Sequence, residues 1–285
     1  MSQFTELTQR GLVVLSGADR TVFLQGLTSN DVTLATASSA IYSTILSPQG
    51  KFLFDFFVRA TENSLDLECE KVRADELIAR LKPYKLRSDV ALANRSAEFA
   101  VLALDGPPPA NLQPAVAYAD PRLAALGSRV VVPLSWLPDT KAKLLAAGFT
   151  EADEPTYDLK RLQLGVPDGS RDIPVGSGIL LDHNLHLLNA ISWTKGCYMG
   201  QELTARTHYR ALIKKSLLPV GASAALVTGT PITTADGQEV GELRSTHGPN
   251  ALAMLRLDAL EQPLFVGTLP LAVNPPEWWK EAHHD

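Results

Sequence analysis

From about Lys214 the texture of the chain changes. Residues 216–220, 239–244, 251–257 and 269–273 are short β-rich runs separated by turn residues, whereas everything before them mixes strand and helix signals. Short strands at this spacing bury a face most readily by curling on themselves. Residues 213–285 are therefore predicted to form a small all-β module of barrel type. Gly237, Gly241 and Gly248 suit its tight turns or bulges.

Residues 1–212 read differently. A β-rich run over 11–15 leads into a helix over 21–27, and residues 41–46 and 51–59 flank Ser47-Pro48-Gln49-Gly50, a type I turn signal that predicts a hairpin. A strand near 65–69 precedes a helix over 74–81 with Leu77, Ile78 and Leu81 on one face. Strands near 90–93, 101–104 and 130–133, and helices over 140–147 and 157–164 that end at Gly148 and Gly165, complete the region. These elements do not alternate as βαβ units, so the fold class is α+β. The region admits two subdomains, with an insertion over about 47–155.

The chain has 285 residues, of which 45% are hydrophobic, enough for a substantial core. Its longest apolar runs fall far short of the roughly 20 residues that span a bilayer. The N-terminus has no basic start and no apolar stretch, and it carries acid early, so a cytoplasmic protein without a membrane partner is expected. With 26 basic and 31 acidic residues, net −5, no global field draws the chain to nucleic acid, and no direct nucleic-acid partner is expected.

Cys69 and Cys197 are the two cysteines. They show neither zinc spacing nor a CxxC pair. Cys69 falls inside a strand pattern and reads as structural. Cys197 stands in Lys195-Gly196-Cys197-Tyr198-Met199-Gly200-Gln201-Glu202, between two glycines, beside a cation and ahead of a helix expected from about Gly200. Lys195 and the helix N-terminus are both expected to favour its thiolate. A nucleophilic cysteine also needs a base, and His208 is the nearest histidine in sequence.

Arg206, His208, Arg210, Lys214 and Lys215 form the densest basic cluster, read equally as a solvated surface or as a site for a glutamate tail or phosphate. His183 and His186, three apart beside Asp182, lack an HExxH pattern or a third matching ligand, so capping and packing are favoured over metal binding. His283, His284 and Asp285 are expected to fray.

The octapeptide around Cys197 resembles the KGCYxGQE signature of the YgfZ family of folate-binding proteins. The flanking Leu185-His186-Leu187-Leu188-Asn189-Ala190-Ile191-Ser192 and Leu203-Thr204-Ala205-Arg206 are similar to the same family, as are Phe23-Leu24-Gln25-Gly26-Leu27-Thr28-Ser29-Asn30-Asp31 and Leu46-Ser47-Pro48-Gln49-Gly50-Lys51. The resemblance implies an aminomethyltransferase-like fold, with folate-binding α+β domains around a central cavity and a C-terminal β-barrel.

It further implies a tetrahydrofolate-binding accessory protein for iron–sulfur cluster assembly or repair, with iron–sulfur client proteins as partners, some of them tRNA-modifying enzymes. A folate-dependent one-carbon transferase is the alternative, and a scaffold without chemistry is a third. The implied cofactors are tetrahydrofolate or a one-carbon derivative and, transiently, an iron–sulfur cluster. Cys197 matches the family's motif cysteine, with Lys195, Gly196, Tyr198, Gly200, Gln201, Glu202 and Arg206 as motif neighbours. Cluster contact, sulfur or redox chemistry, and a transient mixed disulfide all remain open to Cys197. Glu202 and Arg206 also suit a plain i,i+4 pair. Tyr157, Arg161 and Asp182 fall where aminomethyltransferases meet folate. Arg10 stands where some members carry tryptophan.

Overall fold

The turn Ser47-Pro48-Gln49-Gly50 closes as its sequence predicts. The Gly50 N–H donates to the Ser47 carbonyl and the Ser47 N–H to that of Lys51, both at 2.8 Å. Gly50 sits at φ +76°, where any side chain is strained. The computed structural model describes residues 2–210 and 212–283. His284 and Asp285, expected to fray, lie outside the described residues. Two units make up the chain: Met1–Leu46, Phe54–Tyr157 and Asn189–Met199 form the first, and Ser47–Leu53, Asp158–Leu188 and Gly200–Asp285 the second.

In chain order the strands begin with β1 (Gln3–Glu6), β2 (Arg10–Ser16), β3 (Ile41–Leu46), β4 (Phe52–Ala60) and β5 (Ser64–Glu70), then β6 (Ala91–Asn94), β7 (Phe99–Leu104), β8 (Val116–Ala119), β9 (Ser128–Pro133) and β10 (Thr150–Ala152). The helices among them are α1 (Arg20–Gln25), α2 (Ala74–Leu81), α3 (Leu137–Ala146) and α4 (Glu154–Gln163). Among the described residues these strands make two five-stranded sheets, ordered β10-β1-β7-β9-β8 and β3-β4-β5-β2-β6. In the first, Phe4, Leu102, Leu104, Val130 and Val132 form a core with Leu144 of α3.

α3 and α4 each start three residues before the sequence pattern predicts. Both admit a proline, Pro138 and Pro155, in the first turn, where its missing N–H costs nothing. In β5 the residues from Leu65 to Cys69 are all buried, including Asp66 and Glu68, because both carboxylates meet arginines inside the fold.

The second unit carries α5 (Gly169–Asp172), α6 (Gln201–Tyr209) and the predicted barrel. Its strands are β11 (Lys215–Gly221), β12 (Pro231–Thr234), β13 (Glu239–His247), β14 (Asn250–Arg256), β15 (Leu264–Val266) and β16 (Leu269–Val273), followed by α7 (Glu277–Glu281). They close in the order β11-β14-β13-β12-β15-β16 around Leu218, Ile232, Leu243, Leu255 and Trp279. The His283 ring stacks on Trp279 at 4.0 Å, and its Nδ1 donates to the Trp279 carbonyl. The expected fraying at His283 is thus corrected: aromatic stacking holds it.

Candidate functional site

In the first unit, the turn after α1 organises the cysteine loop. Ser29 Oγ donates to the Ala190 carbonyl at 2.7 Å, Asn30 Nδ2 to that of Asn189 at 2.8 Å, and the Ser192 N–H to the Ser29 carbonyl at 3.0 Å. Lys195 then points its ammonium back into the same turn. Nζ donates to the carbonyls of Gln25 and Thr28 at 2.7 Å each and of Asn30 at 2.8 Å. An ammonium has three donors, and all three are engaged. Burial brings the Lys195 pKa down to about 8, against the attraction of Asp31. The same Nζ lies 5.3 Å from the centroid of the buried Tyr198 ring.

Cys197 is exposed between Lys195 and Tyr198, beside an equally open Gly196. Its surroundings bear on two sequence expectations. Lys195 has no N–H left to donate to Cys197, because three carbonyls accept all three. α6 begins at Gln201, after a left-handed Gly200 at φ +80°, so Cys197 is neither its cap nor in its first turn, the range over which a helix end acts. On the far side of Cys197, the Met199 N–H donates to the Gly26 carbonyl at 3.2 Å.

In the second unit, Gly50 meets the start of α6 so closely that a Cβ there would stand 2.6 Å from Leu203 Cβ and 2.8 Å from the Gly200 carbonyl. Two of the quoted motifs are therefore packed together. Gln201, Glu202 and Arg206 lie on α6. Arg206 reaches Glu202 only at 3.9 Å and both are largely exposed, a pair worth little.

Asp182 is half-buried, and among the described residues no hydrogen bond engages its carboxylate; burial raises its pKa, while Lys215 and Lys51 oppose that. His183 is buried: Nδ1 donates to the Ile179 carbonyl at 2.8 Å, Nε2 has no partner among the described residues, and burial takes the pKa down to about 4. His186 packs edge-on to His208 at 6.4 Å, and His208 in turn to Tyr209. Among the described residues no group of three His, Cys, Asp or Glu side chains could hold a metal ion.

Tyr157 and Arg161 have structural partners. In the first unit the Tyr157 hydroxyl accepts from Arg122 and Arg129 at 3.2 Å each, and its ring packs on Leu7, Val101 and Ala103. In the second, Arg161 is 2% exposed; Nε donates to Asp158 at 2.7 Å and Nη1 to Asp172, leaving Nη2 without a partner among the described residues.

Sequence reasoning missed the network behind Tyr157. Glu68 accepts from Arg10 at 2.9 Å, from Tyr118 at 2.7 Å and from Arg129, and Asp120 accepts from Arg122 at 2.8 Å and Arg129 at 3.0 Å. Arg129 also stacks 4.2 Å over Phe57. Burial alone would raise the Asp120 carboxyl, but Arg122 and Arg129 outweigh it and hold it below the usual range. No local pattern in the alternating polar residues of β5 separates a solvated face from a charge paired across two sheets.

Known proteins carry the same architecture. The fold is similar to that of the glycine cleavage system aminomethyltransferase T from Bartonella henselae, with a TM-score of 0.76 over 97% of this chain and 86% of that one, at 15% identity. It is an aminomethyltransferase-like α+β fold with a C-terminal six-stranded barrel. A family model described as CAF17, C-terminal beta-barrel domain, matches residues 214–281.

Human "Iron-sulfur cluster assembly factor IBA57, mitochondrial" is 32% identical over 306 residues, 96% of this chain and 84% of its own length. The mouse protein of that name is 32% identical over 311 residues, 97% and 85%. The chain belongs to the YgfZ/CAF17 family, the one that contains the IBA57 assembly factors. The expectation of a cytoplasmic protein is overturned by these names, which place the human and mouse relatives in mitochondria.

Proposed function

We propose that this chain is an assembly factor for iron–sulfur proteins, that it holds a reduced folate, and that Cys197 is the thiol through which it acts on its clients. The observation that carries the reading is an exposed cysteine on a loop fastened on both sides, by three carbonyls around Lys195 and by the Met199 backbone. A loop held this way presents a thiol to a protein partner without the entropy cost of ordering it first. The relatives' name, iron–sulfur cluster assembly factor, supplies the client class. Family resemblance extends the clients to tRNA-modifying enzymes.

One thiolate cannot hold a 4Fe–4S cluster alone. Cys69 is 3% exposed, with burial pushing its thiol up to about 12, so it is no second ligand. The cluster is cargo in this reading, and client thiolates complete its ligand set.

Asp182 fits the folate. A half-buried carboxylate without an internal donor accepts the paired N–H groups of a pterin. Tyr157 and Arg161 have internal partners already, so the folate reading rests on Asp182. Bound reduced folate supplies a carrier for one carbon; the chain's part is to orient the ring against Asp182, whose pKa burial raises and Lys215 and Lys51 hold back.

Anaerobic calorimetric titration with tetrahydrofolate tests this half. Saturable binding is expected in wild type and Cys197→Ala, weakened roughly tenfold, about 1.4 kcal/mol, in Asp182→Asn. Absence of binding by wild type removes folate from the account. Trapping of formaldehyde-derived methylene on the bound folate, with release of a demethylated amine, would mark a one-carbon transferase instead.

A further inference from the structure

Met199 occupies the one variable position of the cysteine motif, and its thioether is met by two strong donors. Arg80 Nη2, from the last turn of α2, donates to Sδ at 3.7 Å, and the Tyr84 hydroxyl, three residues beyond that helix, donates at 3.5 Å. A thioether is among the weakest acceptors a protein contains. Arg80 is poorly served in a second way: its Nε is buried with no partner among the described residues. The guanidinium is held 5.7 Å from the Tyr84 ring centroid, which keeps the two donors together.

These distances suit a different acceptor. An S–O bond of about 1.5 Å and a hydrogen bond of about 2.8 Å, meeting at a bent oxygen, put a donor about 3.8 Å from sulfur. Arg80 and Tyr84 already stand near that separation. We propose that Met199 is a modification site, oxidised by hydrogen peroxide to the sulfoxide, and that Arg80 and Tyr84 form the cradle that holds the sulfoxide oxygen.

The sulfur lone pair attacks one peroxide oxygen and the O–O bond breaks. The S–O bond forms and water leaves, with sulfur oxidised by two electrons and peroxide reduced by two. In most proteins this change places a polar group among apolar ones and loosens the structure. Here it replaces a weak acceptor by a strong one and tightens the loop two residues from Cys197.

The test treats the full-length chain with graded hydrogen peroxide, follows Met199 and Met254 by peptide mass spectrometry, and records melting temperature. Met199→Leu, treated identically, subtracts the effect of every other oxidised group. Met199 is expected to oxidise ahead of Met254, with the wild-type melting temperature held or raised relative to Met199→Leu. Tyr84→Phe is expected to lose about 2–4 °C more than wild type on oxidation. Met199→Gln, whose amide oxygen imitates the sulfoxide, is expected to melt above Met199→Leu. The proposal is overturned if Met199 oxidises no sooner than Met254. Equal losses in wild type and Tyr84→Phe, or a Met199→Gln less stable than Met199→Leu, would overturn it as well.

Discussion

Lys195 donates to the Thr28 carbonyl at 2.7 Å across 167 residues of sequence, and this bond seats the cysteine loop on the turn that follows α1. With the Gln25 and Asn30 carbonyls it completes a tripod around one ammonium. Lys195→Met is expected to leave three carbonyls without that donor and to destabilise the fold by about 2–3 kcal/mol. Lys195→Arg should recover little of this, since a planar guanidinium does not match a tripod. Urea unfolding reads the loss as a lower midpoint at unchanged slope.

Two glycines make a controlled comparison. Gly50→Ala places a Cβ 2.6 Å from Leu203 Cβ at φ +76° and should cost about 1–3 kcal/mol. Gly26→Ala, at φ −77° with nothing within 4 Å of its Cβ, should stay within about 0.5 kcal/mol of wild type. Equal effects in denaturant titrations would mean that the Gly50 contact with α6 carries no weight.

Glu68, paired with Arg10 inside its own sheet, anchors that sheet to the other one of the first unit through Tyr118 and Arg129. Glu68→Gln keeps the shape but leaves buried guanidinium charge uncompensated, which should destabilise by about 3–5 kcal/mol. The double variant Glu68→Gln, Arg129→Met should be less damaged than the sum of its singles, the coupling read from a double-mutant cycle.

His183 gives the second unit an acid limit. Its pKa falls from 6.5 to about 4 on folding, so the native ring stays neutral where the unfolded one takes a proton. Stability is therefore complete above pH 6.5 and is lost as pH falls toward 4, by on the order of 3 kcal/mol. His183→Asn should be less stable at pH 7.5 but should show a shallower decline between pH 6.5 and 4. A slope unchanged from wild type would assign the acid sensitivity to another group.

The parts of the fold legible in the sequence are those set by local chemistry. Ser47-Pro48-Gln49-Gly50 announces its turn, Leu77, Ile78 and Leu81 mark the buried side of α2, and the β-rich runs after Lys214 announce the barrel. β1, β8, β10, β12 and β15 escaped because three or four residues hold too few periods of alternation to stand out. At the site, the motif showed which segments matter but not how they meet. The role of Lys195 depends on carbonyls that no side-chain pattern encodes, and the proximity of Met199 to Arg80 joins residues 119 apart.

The central claim, that Cys197 acts on iron–sulfur clients, is tested most directly in cells lacking this chain and supplied with wild type or Cys197→Ser at equal folded abundance, by assaying a 4Fe–4S enzyme. Wild type is predicted to restore its activity and Cys197→Ser to leave it near the level of the empty cells. Full restoration by Cys197→Ser would contradict the account and leave the fastened loop a purely structural feature.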